Sequence, residues 1–407
     1  MKQSCNVAII GAGPYGLSVA AHLGMRGIDY RIFGKPLGTW ASHMPRNMTL
    51  KSEGFASNLS APTSDFTMKA WSGRRGIAYA DQGLPITLDN FLAYGDAFRR
   101  RFVPGVEDVQ ITALERKGDG FALTLDTGET FEARNVVLAI GVTWFAHTPD
   151  VLAALPKELI SHSYDHRETA QFEGRDVAVI GTGSSAIDLA HQLRASGASP
   201  HIIGRAEHIQ YNCTPDPDRE KLLYRLQNPP STIGRGWRSY FCAEAPLLFY
   251  RMPKQMKERA IRSHMHPAAG WFMREQVEGQ IPTLLGRSPV DAQPRNGRAF
   301  LTLADRAGER TTRAFDHVIA ATGYRVNLER VPFLSPALRS QMALAGHSPF
   351  VSDNFETSVP GLYAIGLSAM EMFGPLMHFM VGAEFAAPRV AAHLGRKVSM
   401  PGKQRAA

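Results

Sequence analysis

Two segments of the chain carry the same succession of apolar and polar positions. From Asn6 to Leu23 the sequence reads NVAIIGAGPYGLSVAAHL, and from Asp176 to Leu193 it reads DVAVIGTGSSAIDLAHQL. Each begins with an apolar run of strand length and passes through a G-x-G-x-x-[GA] turn. Each then continues with apolar residues at helical spacing: Leu17, Ala20 and Ala21 in the first, Ile187, Ala190 and Leu193 in the second. A constant offset of 170 residues superimposes Gly11, Gly13 and Gly16 on Gly181, Gly183 and Ala186. This strand–turn–helix context gives the motif its meaning. The first glycine permits the tight turn, the second lets backbone N–H groups and the positive end of the helix dipole meet a pyrophosphate, and the third small residue lets helix pack on strand. Two copies predict two nucleotides, with Pro14, Tyr15, Ser184 and Ser185 completing the phosphate turns.

The remaining pattern fits an α/β chain with two Rossmann-like dinucleotide-binding domains. Tyr30–Phe33 reads as the second strand of the first domain, and Leu84–Phe102 has helical spacing of Leu88, Phe91, Leu92, Gly95 and Phe98. Residues 121–125 and 130–132 flank Asp126-Thr127-Gly128-Glu129, a hairpin signal. The apolar strand 135–141 ends in Gly141, and its counterpart DHVIAATGY ends around Thr322 and Gly323. Residues 37–62 are too rich in turn formers for a regular element. Residues 206–300 open with Pro215, Pro217, Pro229 and Pro230, continue into a basic helical stretch at 254–264, and gather Trp237, Tyr240, Phe241, Trp271 and Phe272. Aromatics grouped this way usually belong to a core, but an insertion beside an interdomain cleft also suits a lid. The expected division is a first nucleotide domain from 1 to 150, a second from 151 to 320 with a helical insertion at about 206–300, and a return to the first domain over 321–407.

Composition narrows the class. A length of 407 residues, 44% hydrophobic and 20% charged, describes a globular chain of two or three domains. No apolar run is long enough to span a bilayer, and the start lacks a signal-peptide pattern, so the expected location is the cytoplasm. Cys5, Cys213 and Cys242 are far apart, which argues against a disulfide framework or a Cys-rich metal site. The net charge of +8 reads as dispersed, which disfavours nucleic acid and leaves either a plain basic surface or attraction for an anionic cofactor or substrate.

Details at the strand ends qualify the cofactor reading. A dinucleotide fold usually ends its second strand with Asp or Glu on the ribose hydroxyls. Here Gly34 and Lys35 stand there, Lys35 being either a solvated turn residue or a phosphate contact. The equivalent positions of the second copy are Gly204 and Arg205, and an arginine suits the 2'-phosphate of NADP.

GAGPYG near the start, Gly38-Thr39-Trp40 after the second strand, the second GxGxxA, Ala321-Thr322-Gly323-Tyr324, and Val359 to Gly366 together resemble the class B flavin monooxygenases. That superfamily includes flavin-containing, N-hydroxylating and Baeyer–Villiger enzymes, and the resemblance spans roughly 1–205 and 315–394. It implies FAD in the first fold, with Trp40 near the flavin and the Gly366 turn at its ring, and NADPH in the second. It also implies reduction of flavin by NADPH, reaction with O2 to a C4a-hydroperoxide, and oxygen transfer to a small-molecule nucleophile, with no metal. The asparagine that follows Gly-x-Trp in flavin-containing monooxygenases is replaced here by Leu50-Lys51-Ser52. Lys51 is therefore a candidate to reach flavin, NADP or a substrate carboxylate, or else a surface lysine, and Asn58 is the fallback catalytic candidate. His162 keeps the alignment of the Baeyer–Villiger fingerprint without its F-x-G or tryptophan, and with His166 it also reads as a domain-contact residue.

The favoured expectation is NADPH-dependent hydroxylation of nitrogen, sulfur or an electron-rich ring carbon, with Baeyer–Villiger oxygenation second. A disulfide reductase would need paired cysteines. Electron delivery to a ferredoxin-like partner and a non-catalytic NADP sensor are the remaining rivals, and a homo-oligomer is compatible with all of them.

Overall fold

The computed structural model describes residues 4–212, 214, 221–264 and 268–399. Cys213, Pro215 and Pro217, singled out above, lie outside the described residues. Strand β1 (Ser4–Ile10) leads through the first glycine turn into helix α1 (Pro14–Met25), and the chain returns as β2 (Tyr30–Phe33) beside β1, in parallel. After α2 (Leu88–Phe102) come β3 (Val106–Glu107), β4 (Ile111–Lys117), β5 (Gly120–Leu125) and β6 (Thr130–Leu138). The predicted hairpin lies between β5 and β6, with Gly128 at a positive φ of 84°. The first sheet runs β3-β2-β1-β6-β5-β4.

A second sheet is built from β7 (Ile160–His162), β8 (Asp176–Ile180), β9 (Ser199–Gly204), β10 (Thr283–Leu285) and β11 (His317–Ala320), in the order β10-β9-β8-β11-β7. The second glycine turn joins β8 to α3 (Ser184–Ala195). Strand β12 (Leu362–Ala364) then rejoins the first sheet beside β6, and α8 (Ala383–Ser399) packs on α1. Each glycine turn therefore sits at the carboxyl edge of its own parallel sheet, where neighbouring strands leave a crevice.

Between β9 and β10 stand α4 (Leu222–Gln227), α5 (Trp237–Glu244), α6 (Pro246–Arg251) and α7 (Lys254–His264). The inserted segment is helical only as far as Val277; β10 belongs to the second sheet, and residues 288–315 form an antiparallel meander. The helical span expected to about 300 is thus shorter, because alternation at Ala299, Leu301 and Leu303 buries one face of a strand. The turn-rich stretch 37–62 also holds a short helix at Gly38–Ser42 and a single turn at Gly54–Ala56. Leu37 enters that short helix in the left-handed region at φ 49°, a costly conformation for a non-glycine residue. It is held by its N–H bonded to the Ala12 carbonyl at 2.9 Å and by its side chain seated on Gly95, where any Cβ would come within 2.1 Å of Leu37 Cδ1.

The closing segment is built of short turns. Four short turns occupy Gly366–Gly382 before α8 starts, with Gly374, at φ 82°, and Pro375 separating the second from the third.

Candidate active site

Gly11 takes φ 108° and Gly181 φ 137°, and a Cβ at either would lie 2.3 or 2.4 Å from the carbonyl oxygen of Ala139 or Ala321 on the adjoining strand. Gly13 and Gly183 are the N-caps of α1 and α3 without side-chain caps, so the first helical N–H groups are left for another acceptor. A Cβ on Gly13 would meet nothing within 4 Å. Gly16 and the fully buried Ala186 face the packing side instead; a Cβ on Gly16 would stand 1.8 Å from the Gly11 oxygen.

Both turns open into one cavity of about 1740 Å³, lined by Gly11, Gly13, Pro14 and Tyr15 from one sheet and Gly181, Gly183, Ser184 and Ser185 from the other. Single small-molecule sites occupy roughly 300–1,000 Å³, so this volume suits two dinucleotides and a further molecule. The two uncapped helix ends, the open space above Gly13 and the size of the void together fit FAD and NADP as the groups held there.

The remaining predicted residues divide. Lys35, Trp40, Lys51, Gly141, Arg205, Thr322, Gly323 and Gly366 all line the cavity. Tyr15 donates its hydroxyl to the Phe379 carbonyl at 2.8 Å, tying α1 to the closing segment, and Gly366 carries its positive φ against the Tyr15 ring. Trp40 packs its ring against Phe91 at 4.7 Å. Lys35 Nζ donates to Ser42 Oγ at 3.0 Å, and where an acidic ribose ligand was expected the cavity is bounded by Gly34, Lys35, Val109 and Gln110.

Asn58 is not brought to the site. Its amide donates to the Phe55 carbonyl at 3.0 Å and its oxygen accepts from the Met68 N–H at 2.8 Å, so both ends brace a loop away from the cavity lining. His162 accepts from the Tyr164 N–H at 3.0 Å through Nδ1, and its Nε2 lies 3.1 Å from the carbonyl of Gly323, just past the neighbouring strand β11, so it caps a turn at the edge of the second sheet. His166 is bound to Ser161 at 2.6 Å in the second domain.

Lys51 meets two partners that the sequence reading did not connect to it. Its Nζ donates to the Ala268 carbonyl of the inserted segment at 2.8 Å, and the residue lines the cavity with part of its surface open to solvent. Burial lowers its pKa to about 8, an effect that Asp188 opposes. Asp188, on α3, is pushed up to about 6 by burial against the lowering effects of Lys51 and of Ser184 Oγ at 3.5 Å. His378, another cavity residue, is held down to about 4 by burial and by the Lys51 charge, so it is neutral. A signal for Asp188 was present in the sequence: it is a carboxylate within the apolar, buried stripe of a helix whose start faces a ligand.

Arg287 is a second residue missed. Its N–H donates to the Gly204 carbonyl at 3.0 Å, so it stands beside Arg205 on the cavity wall at the end of β9. Two arginines on this wall, Arg287 with its guanidinium also donating to Thr311 Oγ1 at 2.6 Å, match a 2'-phosphate. We expect Arg205→Ala to raise the KM for NADPH about 10-fold or more while changing that for NADH little, with Arg287→Ala behaving alike. Equal effects on both nicotinamides in steady-state assays would remove the pair from the phosphate site.

The family model for pyridine nucleotide-disulphide oxidoreductases matches residues 8–226. Indole-3-pyruvate monooxygenase YUCCA1 of Oryza sativa subsp. japonica is 26% identical over 396 residues, covering 90% of this chain and 87% of its own length. A ferredoxin–NADP reductase of Mesorhizobium japonicum is 28% identical over 229 residues, 55% of this chain and 58% of the reductase. Among solved structures, the ornithine N-hydroxylase of Kutzneria sp. 744 shares the fold with a TM-score of 0.77 at 17% identity, covering 97% of this chain and all of that one. No helix among the described residues is long and apolar enough to cross a membrane. The chain belongs to the pyridine nucleotide-disulphide oxidoreductase family and is an FAD-dependent NAD(P)H oxidoreductase, with the two-nucleotide fold of the class B flavin monooxygenases.

Proposed function

We infer that the chain is an NADPH-dependent flavin monooxygenase that oxygenates a small-molecule nucleophile, nitrogen before sulfur or ring carbon. The observation that carries this reading is the continuity of the cavity. The void that joins the two glycine turns extends past them to a chamber walled by Lys51, His378 and inserted residues Thr232, Ile233, Ser239 and Ile261. Bound FAD and NADPH supply hydride transfer and activation of O2. The chain's own residues hold the two diphosphates at uncapped helix ends, orient Trp40 and Tyr15 beside the void, and close it with the inserted segment, whose Ala268 carbonyl anchors Lys51.

An amine must lose its proton before its lone pair is nucleophilic. Asp188, ionised above about pH 6, is the group suited to accept that proton, while His378, neutral and only weakly basic, adds no charge and protonated Lys51 fixes the charge balance of the chamber. Neither described cysteine, Cys5 or Cys242, lines the cavity and both are buried, which disfavours thiol relay. The similarity to ferredoxin–NADP reductases keeps electron delivery as the reading to be tested against.

The decisive test is mass spectrometry of products from an amine, a thioether, a ketone and a heteroaromatic under labelled oxygen gas. One labelled atom on nitrogen is the expected result. NADPH consumption that yields only peroxide with the whole panel, together with rapid ferredoxin reduction, would replace oxygenation by electron delivery.

A further inference from the structure

The inserted helices carry large apolar side chains that no described residue covers. Leu222, Leu223 and Leu226 on α4, Trp237 on α5, Leu248 on α6 and Met256 on α7 are between 54% and 76% exposed, and they form half of the large exposed hydrophobic side chains among the described residues. Helices α4 and α5 flank a two-stranded ribbon in the chain, whose closing bond runs from the Gly236 N–H to the Pro229 carbonyl at 2.9 Å. Trp237 and Tyr240 then meet edge to face at 5.9 Å.

Charge is concentrated on the same segment. Residues 221–264 contain nine Lys and Arg against Glu244 and Glu258 alone, an excess of seven out of the whole chain's +8. The positive charge read as dispersed along the sequence is therefore gathered in about a tenth of it. Arg225, Arg238, Arg251, Lys254 and Arg259 are exposed on the same short helices as these apolar side chains or directly after them.

We propose that this face docks the protein on the surface of an anionic lipid bilayer, lying in the interface without crossing it. Leucines and a tryptophan flanked by arginine and lysine are the composition that partitions into a charged membrane interface. The apolar groups project outward from short helices, which suits insertion among lipid chains; a protein partner would need matching pockets for each. A second copy is disfavoured by charge, since a two-fold contact sets the exposed arginines and lysines of one face against those of the other. The segment's inner side, with Ile233, Ser239 and Ile261, walls the cavity, so docking places a wall of the site next to the bilayer.

The test is sedimentation of the full-length, FAD-loaded protein with vesicles of phosphatidylcholine alone and of phosphatidylcholine mixed with phosphatidylglycerol. Binding is expected only to the mixed vesicles and is expected to weaken steeply with added salt. The variants Leu222→Ser/Leu226→Ser/Trp237→Ser and Arg225→Glu/Arg238→Glu should each lower partitioning about 10-fold or more with flavin absorbance retained. No retention on either vesicle, or equal retention on both, overturns the proposal. So does retention that neither variant changes. Self-association in analytical ultracentrifugation that the apolar variant abolishes, without vesicle binding, assigns the face to a second copy instead.

Discussion

Gly13→Val should purify folded and colourless. The residue sits at φ −79°, a conformation open to any L-amino acid, and its Cβ would meet no protein atom within 4 Å. The fold therefore has no reason to resist the side chain. The space that the branched carbons fill is the space over the uncapped N-terminus of α1, where a diphosphate must come within hydrogen-bond distance of backbone N–H groups. Loss of that approach removes several charge-assisted bonds at once, each worth about 1.5–3 kcal/mol, so FAD affinity should fall by at least ~10³-fold. Gly16→Ala is the contrasting case. Its added carbon would stand 1.8 Å from the Gly11 oxygen, so the turn must open and the protein should lose about 1–3 kcal/mol of stability in urea whether or not flavin is supplied. Flavin absorbance and thermal midpoint measured together separate the two outcomes. A yellow Gly13→Val protein of normal affinity would mean that the turn does not cradle the flavin diphosphate.

The glycine turns were legible in the sequence because local sterics dictate them: Gly11 and Gly181 need a positive φ and each faces a carbonyl on the next strand, a demand only glycine meets. Strands β1, β8, β11 and the second half of β6 were legible because burial on both sides of a parallel sheet leaves apolar runs. What escaped depends on contacts distant in the chain. Arg287 joins Arg205 on the cavity wall only because β10 pairs with β9, after a separation of about eighty residues. Asn58 carries a side chain equally suited to catalysis and to bracing a loop, and only its two bonds, to Phe55 and Met68, decide between them. Lys51 could be singled out by comparison with related motifs, but its environment comes from α3, the closing segment and the inserted helices, three regions separated by more than a hundred residues from it. The concentration of charge on the insertion was countable from the start, yet it acquires a direction only once the leucines beside it are seen to be uncovered.

Lys51→Met should retain FAD and NADPH-driven flavin reduction but lose about 10²-fold in oxygenated product, with a changed pH profile. In the parent enzyme, product formation should rise as Asp188 deprotonates near pH 6 and fall as Lys51 deprotonates near pH 8. Removing the lysine abolishes the upper limb. It also removes the charge that lowers Asp188, so the lower limb moves to higher pH. Asp188→Asn acts in the opposite sense: the lower limb disappears, and Lys51, deprived of the carboxylate that supports its charge, deprotonates below pH 8. The linkage to stability has a definite sign. The raised Asp188 contributes most below its unfolded value, and that contribution is lost as pH rises through about 6. The depressed Lys51 contributes most above its unfolded value, and that contribution is lost as pH falls through about 8. Near neutrality both groups are therefore held in their charged forms at a cost to the fold. A pair kept for structure would be expected to destabilise the protein on removal, whereas replacing both members by apolar residues, Lys51→Met with Asp188→Leu, should leave the thermal midpoint unchanged or higher while product formation stays lost. A marked fall in the midpoint, with product formation in each single variant falling only in proportion to folded protein, would show that the pair supports the domain contact and takes no part in the chemistry.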